Sequence, residues 1–315
     1  MAPLTVAITG AAGFLGRTLT PVLRDDPAVG RVIALDLAPG ETEGVEWVAA
    51  DIRDPQLAER FRGADVVVHL AFVVLGDLRQ AQDINVRGSA NVFEAAAKAG
   101  CRMLVHASSV AAYGYGLEGR LLTEEDPIRP IEAFTYSRTK GAAERALLET
   151  IERHPELEVA WLRPSIILGP RNHDFLETLM SRRAVVKPGR RSGSIQFIHI
   201  DDVVEAFRLA TVGHATGAFN VSGGGSVTYE ELAAIAGKRL ITVSHRAALS
   251  FTGAAGRFRP KLGIDAGWVM IAQRPPLVST ERAERELGWH PTRSSREAIT
   301  EFLRGAARPL TTERS

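Results

Sequence analysis

The apolar run Leu4–Thr9 breaks into Gly10-Ala11-Ala12-Gly13-Phe14-Leu15-Gly16, and this glycine turn constrains the fold more than any other stretch of the chain. Gly10 permits a tight turn off a strand, Gly13 lets backbone approach a pyrophosphate, and Gly16 allows the next helix to pack closely. The helix opening here aims its free N–H groups and positive dipole end at the turn, which favours bound phosphate. Glycines at this spacing also occur in ordinary turns, so the weight falls on context: a strand before, a helix after, and an acid further on. That acid is Asp36, twenty residues beyond Gly16 at the end of the second apolar run, placed to accept hydrogen bonds from an adenosine ribose. Leu37 follows it, with no adjacent Arg or Lys to neutralise a 2′-phosphate, so the expected cofactor is NAD rather than NADP. Arg17, a cation beside the turn, is the counter-indication.

The first half of the chain alternates short apolar runs with longer helical patterns, the rhythm of βαβ units and of a doubly wound parallel sheet. The expected strands are Leu4–Thr9, Arg31–Leu35, Val45–Ala49, Val66–His69, Met103–Ala107 and Val159–Leu162, each apolar enough to be buried on both faces. Between them, Leu15–Leu23, Pro55–Phe61, Ala81–Lys98 and Tyr136–Ile151 read as helices, the third stopped by Gly100. Beyond about residue 170 the rhythm loosens, with short strands near Ile195–Ile200 and Phe219–Val221 and helices near Val203–Thr211, Tyr229–Ala236 and Glu281–Leu287. The expected organisation is a dinucleotide-binding domain over residues 1–170 and a smaller α/β, mainly substrate-binding region over 171–315, with no clear linker.

Composition narrows the partners. The chain has 315 residues, with 38 Lys and Arg against 37 Asp and Glu, so no net field favours nucleic acid or an anionic membrane. A small-molecule substrate is expected. Cys101 is the single cysteine and has no internal disulfide partner, which fits a reducing cytoplasm and a packing role. The longest apolar run, Val66–Leu75, is about half the ~20 residues of a membrane-spanning helix. No basic segment precedes the first apolar stretch, so a cleaved signal peptide is not expected, and the expected location is the cytoplasm.

Tyr136 and Lys140 lie four apart in a predicted helix, one turn apart on one face. A phenol with its reference pKa of about 10 is a poor base at neutral pH. A nearby ammonium and a cationic nicotinamide ring would both favour the phenolate. The fifth predicted strand ends in Ser108-Ser109, at the carboxyl edge where open α/β sheets bind ligands, so a serine there can polarise a carbonyl or alcohol. The chain has no Gly-x-Ser-x-Gly elbow, His-Glu-x-x-His pair or Walker lysine after the glycine turn, which argues against hydrolase, zinc protease and P-loop chemistry. His69 and His199 stand alone in apolar surroundings without metal-ligand spacing, and read as packed or structurally hydrogen-bonded residues.

With the glycine turn, the strand-end serines and Tyr136-Ser137-Arg138-Thr139-Lys140 in view, the chain resembles the extended short-chain dehydrogenase/reductase family, a Rossmann-type group, and more narrowly its NAD-dependent epimerase/dehydratases. Further matches run along nearly the whole chain: Ala50-Asp51-Ile52-Arg53-Asp54, His69-Leu70-Ala71, Asn85-Val86-Arg87-Gly88-Ser89-Ala90-Asn91, Arg163-Pro164 with Gly169-Pro170, Phe197-Ile198-His199-Ile200-Asp201-Asp202, and Leu287-Gly288-Trp289. The resemblance implies that Gly10, Gly13, Phe14, Leu15, Gly16 and Asp36 hold the dinucleotide. It also implies that Asp51 and Ile52 contact the adenine, and that Leu70, Ala71, Asn85 and Pro164 line the cofactor site. Ser109, Tyr136 and Lys140 would be catalytic, Tyr136 and Lys140 also touching the cofactor. Relatives commonly dimerise through two helices per subunit, here Ala81–Lys98 and Tyr136–Ile151.

Departures from the family pattern bear on the substrate. Family dehydratases carry an Asp-Glu pair directly after the catalytic Ser/Thr; Val110-Ala111 stand here, which disfavours dehydration. Ile195 and Gln196 replace an Arg-Asp pair common in sugar-nucleotide epimerases, and Ile166 replaces a polar residue. Arg182, Arg183, Arg190 and Arg191 are possible compensating cations for a diphosphonucleoside. The leading expectation is an NAD-dependent oxidoreductase resembling sugar-nucleotide 4-epimerases. The alternative is a simple carbonyl or alcohol oxidoreductase on a non-nucleotide molecule, and a minor third is a dinucleotide-binding protein without chemistry, which would have no use for the Tyr136/Lys140 pair.

Overall fold

A computed structural model describes residues 2–38, 40–74, 78–170, 183–190, 192–250 and 265–306. Arg182 and Arg191 lie outside them. The six expected strands all form, as β1 (Leu4–Thr9), β2 (Val29–Asp36), β3 (Glu46–Ala49), β4 (Val66–His69), β5 (Met103–Ala107) and β6 (Glu158–Pro164). Later in the chain come β7 (Ile166–Leu168), β8 (Ala184–Pro188), β9 (Phe197–His199), β10 (Gly217–Val221) and β11 (Arg239–Val243). The central sheet has seven strands, not six, in the order β10-β6-β5-β4-β1-β2-β3, every pair parallel. Its edge strand β10 comes from well beyond residue 170. Ala218, Phe219 and Val221 on this strand are buried, so it completes the sheet in the same way as the first six.

The helices are α1 (Gly16–Arg24), α2 (Leu57–Arg60), α3 (Leu78–Gln82), α4 (Ser89–Lys98), α5 (Thr135–Arg153), α6 (Ile200–Val212), α7 (Tyr229–Ile235), α8 (Gly267–Gln273), α9 (Glu281–Leu287) and α10 (Ser295–Ala306). Consecutive residues of β1 feed opposite faces of the sheet. Val6 and Ile8 pack with Leu19 and Leu23 of α1 and Val203, Phe207 and Ala210 of α6. Ala7 packs with Leu57, Phe61, Val92, Phe93 and Leu147 on the α2, α4 and α5 side. A third core joins Val185, Phe197, Leu232, Ile299 and Phe302 in the C-terminal region.

Two expected elements change shape. Ala81–Lys98 is interrupted by a π-helical turn, Asp83–Gly88, between α3 and α4. Such wide turns are frequent at functional sites, and this one carries Asn85. The expected strand at Ile195–Ile200 is shortened to β9 because His199 caps α6, its ring accepting from the Asp201 N–H at 3.3 Å. The last family motifs are tied together at that cap: Asp202 accepts from Thr292 N and Oγ1 at 2.9 and 2.6 Å, and Trp289 donates to the Asp202 carbonyl at 2.8 Å.

Candidate active site

The strand order reverses at β1, and the glycine turn leaves its carboxyl end at that switch point, where open α/β sheets bind ligands. Gly10 has φ +73°, and a Cβ on it would stand 2.5 Å from Ala71 N, so the Leu70-Ala71 exit of β4 lies directly against the turn. A Cβ at Gly16 would come within 2.2 Å of the Gly10 carbonyl, so α1 starts immediately beneath. Gly13 is exposed, and the half-buried Phe14 and Leu15 stand beside it, with the Arg17 guanidinium 5.7 Å from the Phe14 ring. Asp36 Oδ2 accepts from Ala12 N at 3.0 Å and Oδ1 from Leu37 N at 2.8 Å. This fixes the carboxylate over the turn, and the remaining lone pairs on its oxygens suit ribose hydroxyls. Side chains at Gly10 and Gly16 would fill the cradle, and the donor and acceptor set matches a dinucleotide.

The flanking motifs brace this half. Asp51 is bound by the Arg53 guanidinium at 2.6 Å, which holds its carboxyl below the ordinary range. Ile52 is buried, and a Cβ at Gly88 would come within 2.6 Å of its Cδ1, so the π-helical turn closes over it. Asn91 donates to the carbonyls of Ile52 and Asp54, each at 2.8 Å. Asn85 accepts from Val73 N and donates to Val73 O, both at 2.8 Å. It therefore acts as a clamp on the loop that leaves β4. Behind it, His69 joins Thr9 Oγ1 at 2.7 Å and Ser89 Oγ at 2.9 Å, and burial pushes its pKa down to about 3. A neutral, structurally bonded ring is what its apolar setting led us to expect.

On the other side of the switch point, Ser109 caps a 3₁₀ turn, Val110–Tyr113, its Oγ accepting from Ala111 N at 3.2 Å. Tyr136 sits in the first turn of α5, half-buried. Burial raises its phenol above the ordinary value, and a hydrogen bond with Ser109 pulls the other way. Lys140 is buried, donates to the Ala107 carbonyl at 2.7 Å, and holds Nζ 3.4 Å from the Phe72 ring centroid and 5.8 Å from that of Tyr136. Burial lowers its pKa to about 7, with Glu144 opposing. Ser109, Tyr136 and Lys140 thus meet at the carboxyl edge of β5. Phe72, one residue past the Ala71 that abuts Gly10, links them to the glycine turn, its ring 5.9 Å from that of Tyr136. Pro164 ends β6 at the same edge. Arg163 beside it is consumed by Glu144 at 2.8 and 2.9 Å and by the Tyr113 hydroxyl at 2.6 Å.

A model of the NAD dependent epimerase/dehydratase family matches residues 6–222. The chain belongs to that family. It is an enzyme fold with NAD as cofactor, similar over 94% of its length, at 31% identity, to 97% of UDP-glucose 4-epimerase from Mycolicibacterium smegmatis. It is also 31% identical to sterol demethylase protein B of Methylococcus capsulatus, over 66% of each chain. Among solved structures it resembles MoeE5 in complex with UDP-glucose and NAD, with 26% identity, a TM-score of 0.75, and coverage of 96% of this chain and 98% of that one.

The family departures have structural counterparts. Val110 stands where dehydratases carry an acid and packs with Tyr113, Leu122 and Val278 in a small apolar cluster. Gln196 is turned to structural use, exchanging hydrogen bonds of 3.1 and 2.8 Å with the Val278 backbone. Ile166 remains 40% exposed. Sequence reasoning did not single out three residues around Tyr136. Phe72 adjoins a pair that was singled out, so proximity in sequence carried a signal. Trp268, stacked on Tyr136 with centroids 6.4 Å apart and planes at 14°, belongs to no motif. Neither does Asp265, which accepts from Thr135 N at 2.8 Å and Gly267 N at 3.0 Å and so joins the starts of α5 and α8. Among the described residues no helix is long and apolar enough to cross a membrane, and no group of His, Cys, Asp and Glu could hold a metal ion.

Proposed function

We propose that this protein moves hydride reversibly at a secondary alcohol or ketone, with Tyr136 as acid and base. The convergence of Ser109, Tyr136 and Lys140 beside the glycine turn carries this reading. NAD, held by the glycine turn and Asp36, would supply the two-electron acceptor, while Tyr136 would take the hydroxyl proton of the alcohol and return it in the reverse direction. Ser109 holds the substrate oxygen and the phenol in one hydrogen-bonded set. Lys140, kept in apolar surroundings, offers a positive charge whose effect on a neighbouring phenolate is strong because water is excluded. Asn85 keeps the Leu70–Val73 wall in place through Val73.

The finer assignment is a sugar-nucleotide 4-epimerase, in which hydride returns to the opposite face of the transient ketone. The similarity to UDP-glucose 4-epimerase over nearly both full lengths supports it. That assignment predicts interconversion of UDP-hexose epimers by the protein as purified, with no net NADH formed; failure to bind any nucleoside-diphosphate sugar refutes it. A net oxidoreductase on a non-nucleotide alcohol is the second reading. The aromatic rings around Tyr136 favour it, as does the apolar Ile166 at the same sheet edge. It predicts stoichiometric NADH from an alcohol. We also infer a cytoplasmic homodimer packed through α4 and α5, where Leu148 is 44% exposed, and light scattering at twice the 34.0 kDa chain mass is the test.

A further inference from the structure

The surroundings of Tyr136 are aromatic on three sides. Its ring stacks on Trp268 and meets the edge of Phe72, at 14° and 89° between planes. Phe134 lies behind, 4.9 Å from Trp268 and 5.9 Å from Tyr136. Phe134 is fully buried, whereas Phe72, Tyr136 and Trp268 are each only half-buried, so the three rings gathered at Tyr136 keep part of their surface exposed. Apolar walls with a few convergent polar groups are how small-molecule sites are usually lined.

The position of Trp268 is built into the fold. Asp265 accepts from the first backbone N–H of α5 and from Gly267 at the start of α8, so one carboxylate fixes both helix starts. Gly267 is required there, because a Cβ would lie 2.0 Å from Phe134 Cβ. The far end of α8 is held as well: Tyr229 donates to Ala272 O at 3.0 Å, Gly193 N to Gln273 O at 3.0 Å, and Gly116 N to Arg274 O at 2.8 Å. The indole is thereby held against Tyr136 from both ends of its helix.

Among the described residues, three positions offer a diphosphonucleoside no free donor. Ile195 carries no charge and forms a backbone bridge with Val227. Arg163 is neutralised by Glu144 within the protein interior. Ile166 exposes hydrocarbon at the carboxyl edge of the sheet. At these three positions a diphosphate would lose hydration without a donor in return, whereas a flat hydrocarbon frame would gain from leaving water.

We propose that Trp268 and Phe72 are specificity-determining residues that select a secondary alcohol or ketone set in a flat alicyclic or aromatic frame, and that disfavour a nucleotide sugar. This rests on the hydride-transfer reading of the same site in its second form, net oxidation of a non-nucleotide alcohol, and stands against the sugar-nucleotide assignment. The frame lies along the half-exposed faces of Trp268 and Phe72, which brings its oxygen to Ser109 and Tyr136.

The test uses the NAD-loaded protein with two probes, trans-2-decalol and UDP-glucose. Binding is read by calorimetry and by tryptophan fluorescence, with Trp268→Phe, which leaves Trp47, Trp161 and Trp289, as the control that assigns the emission change to Trp268. Decalol is expected to bind more tightly than UDP-glucose and to change the emission. Trp268→Ala should weaken decalol about tenfold or more, while Trp268→Phe, which keeps a flat ring, should stay within about threefold. Should Trp268→Ala fail to fold, Phe72→Leu supplies the same comparison. Tighter binding of UDP-glucose, or decalol affinity unmoved by Trp268→Ala or Phe72→Leu, overturns the proposal. The parent reading fails separately: if Tyr136→Phe oxidises whichever alcohol the wild type accepts at an unchanged rate, hydride transfer through this site is wrong whatever the probe affinities.

Discussion

The two halves of the sheet's carboxyl edge are built from different materials. The half formed by β1, β2 and β4 is a backbone device: Gly10, Gly13 and Gly16 remove side chains, and Asp36 is fixed by the Ala12 and Leu37 N–H groups. The half around β5 and α5 is a side-chain device, in which Ser109, Tyr136 and Lys140 are enclosed by Phe72, Phe134 and Trp268. A backbone cradle recognises a group common to many enzymes, a pyrophosphate with a ribose, and tolerates little change. A side-chain wall can be rebuilt residue by residue. The same cofactor half can therefore serve different substrates, which matches a chain of equal identity to a UDP-glucose 4-epimerase and to a protein named for sterol demethylation.

The contrast is broken most severely by Tyr136→Phe. Loss of the proton carrier should lower kcat/KM by about 10²–10⁴-fold, in the range of general acid–base catalysis. NAD affinity should be little changed, because the glycine cradle is untouched. Parallel loss of both, measured by steady-state rates and NAD calorimetry, would mean that the halves are not separable. Gly10→Ala is the converse. Its φ of +73° and the 2.5 Å approach of the added Cβ to Ala71 N require the turn or the β4 exit to move. A cost of roughly 1–3 kcal/mol of stability is expected, together with weakened NAD binding, read by thermal melts with and without NAD.

Legibility in the sequence follows the same division. The cofactor half is contiguous and repeats a period: six strands were recovered within a few residues, and Asp36 was found by its distance from Gly16, because glycine geometry and βαβ spacing are local constraints. The seventh strand was seen near Phe219–Val221, but its membership of the main sheet was not, since a five-residue strand does not announce its neighbour. The wide turn at Asp83–Gly88 was also hidden, because its composition continues that of the helix. On the substrate half, Tyr136, Lys140 and Ser109 stood in recognisable motifs. Trp268 did not, because the contact that places it joins Asp265 to Thr135 across 130 residues, and tertiary packing alone creates that proximity.

Lys140→Met asks whether the buried ammonium serves activity at the expense of stability. Its folded pKa of about 7 lies below the usual value near 10.4, so the unfolded chain binds more protons between those values. Stability should accordingly rise with pH from about 7 to about 10 in the wild type. Methionine removes the buried charge, keeps a similar length, and should raise the melting temperature at pH 6 while flattening that rise. Activity should fall sharply. A melting temperature lowered equally at every pH would indicate that the Ala107 hydrogen bond and the Phe72 contact stabilise more than burial of the charge costs.

Asn85→Ala is the smallest change and the closest test of how the two halves are joined. Asn85 reaches the site through Val73, with one hydrogen bond in each direction, and through a longer 3.5 Å donation to Thr139 Oγ1 in the Tyr136–Lys140 turn, while Phe72 sits between Val73 and the Ala71 that meets Gly10. Removing these bonds leaves the half-buried Val73 N–H and C=O without the side-chain partner, at about 1 kcal/mol for each bond. The loop should loosen before the sheet does, so hydrogen exchange at Val73 should accelerate while β4 amides stay protected. If the clamp couples the halves, KM for NAD and for the alcohol should rise together by a few-fold, and Asn85→Asp, which keeps an acceptor for Val73 N, should recover part of the loss. A rise confined to NAD would make Asn85 a brace of the cofactor half alone.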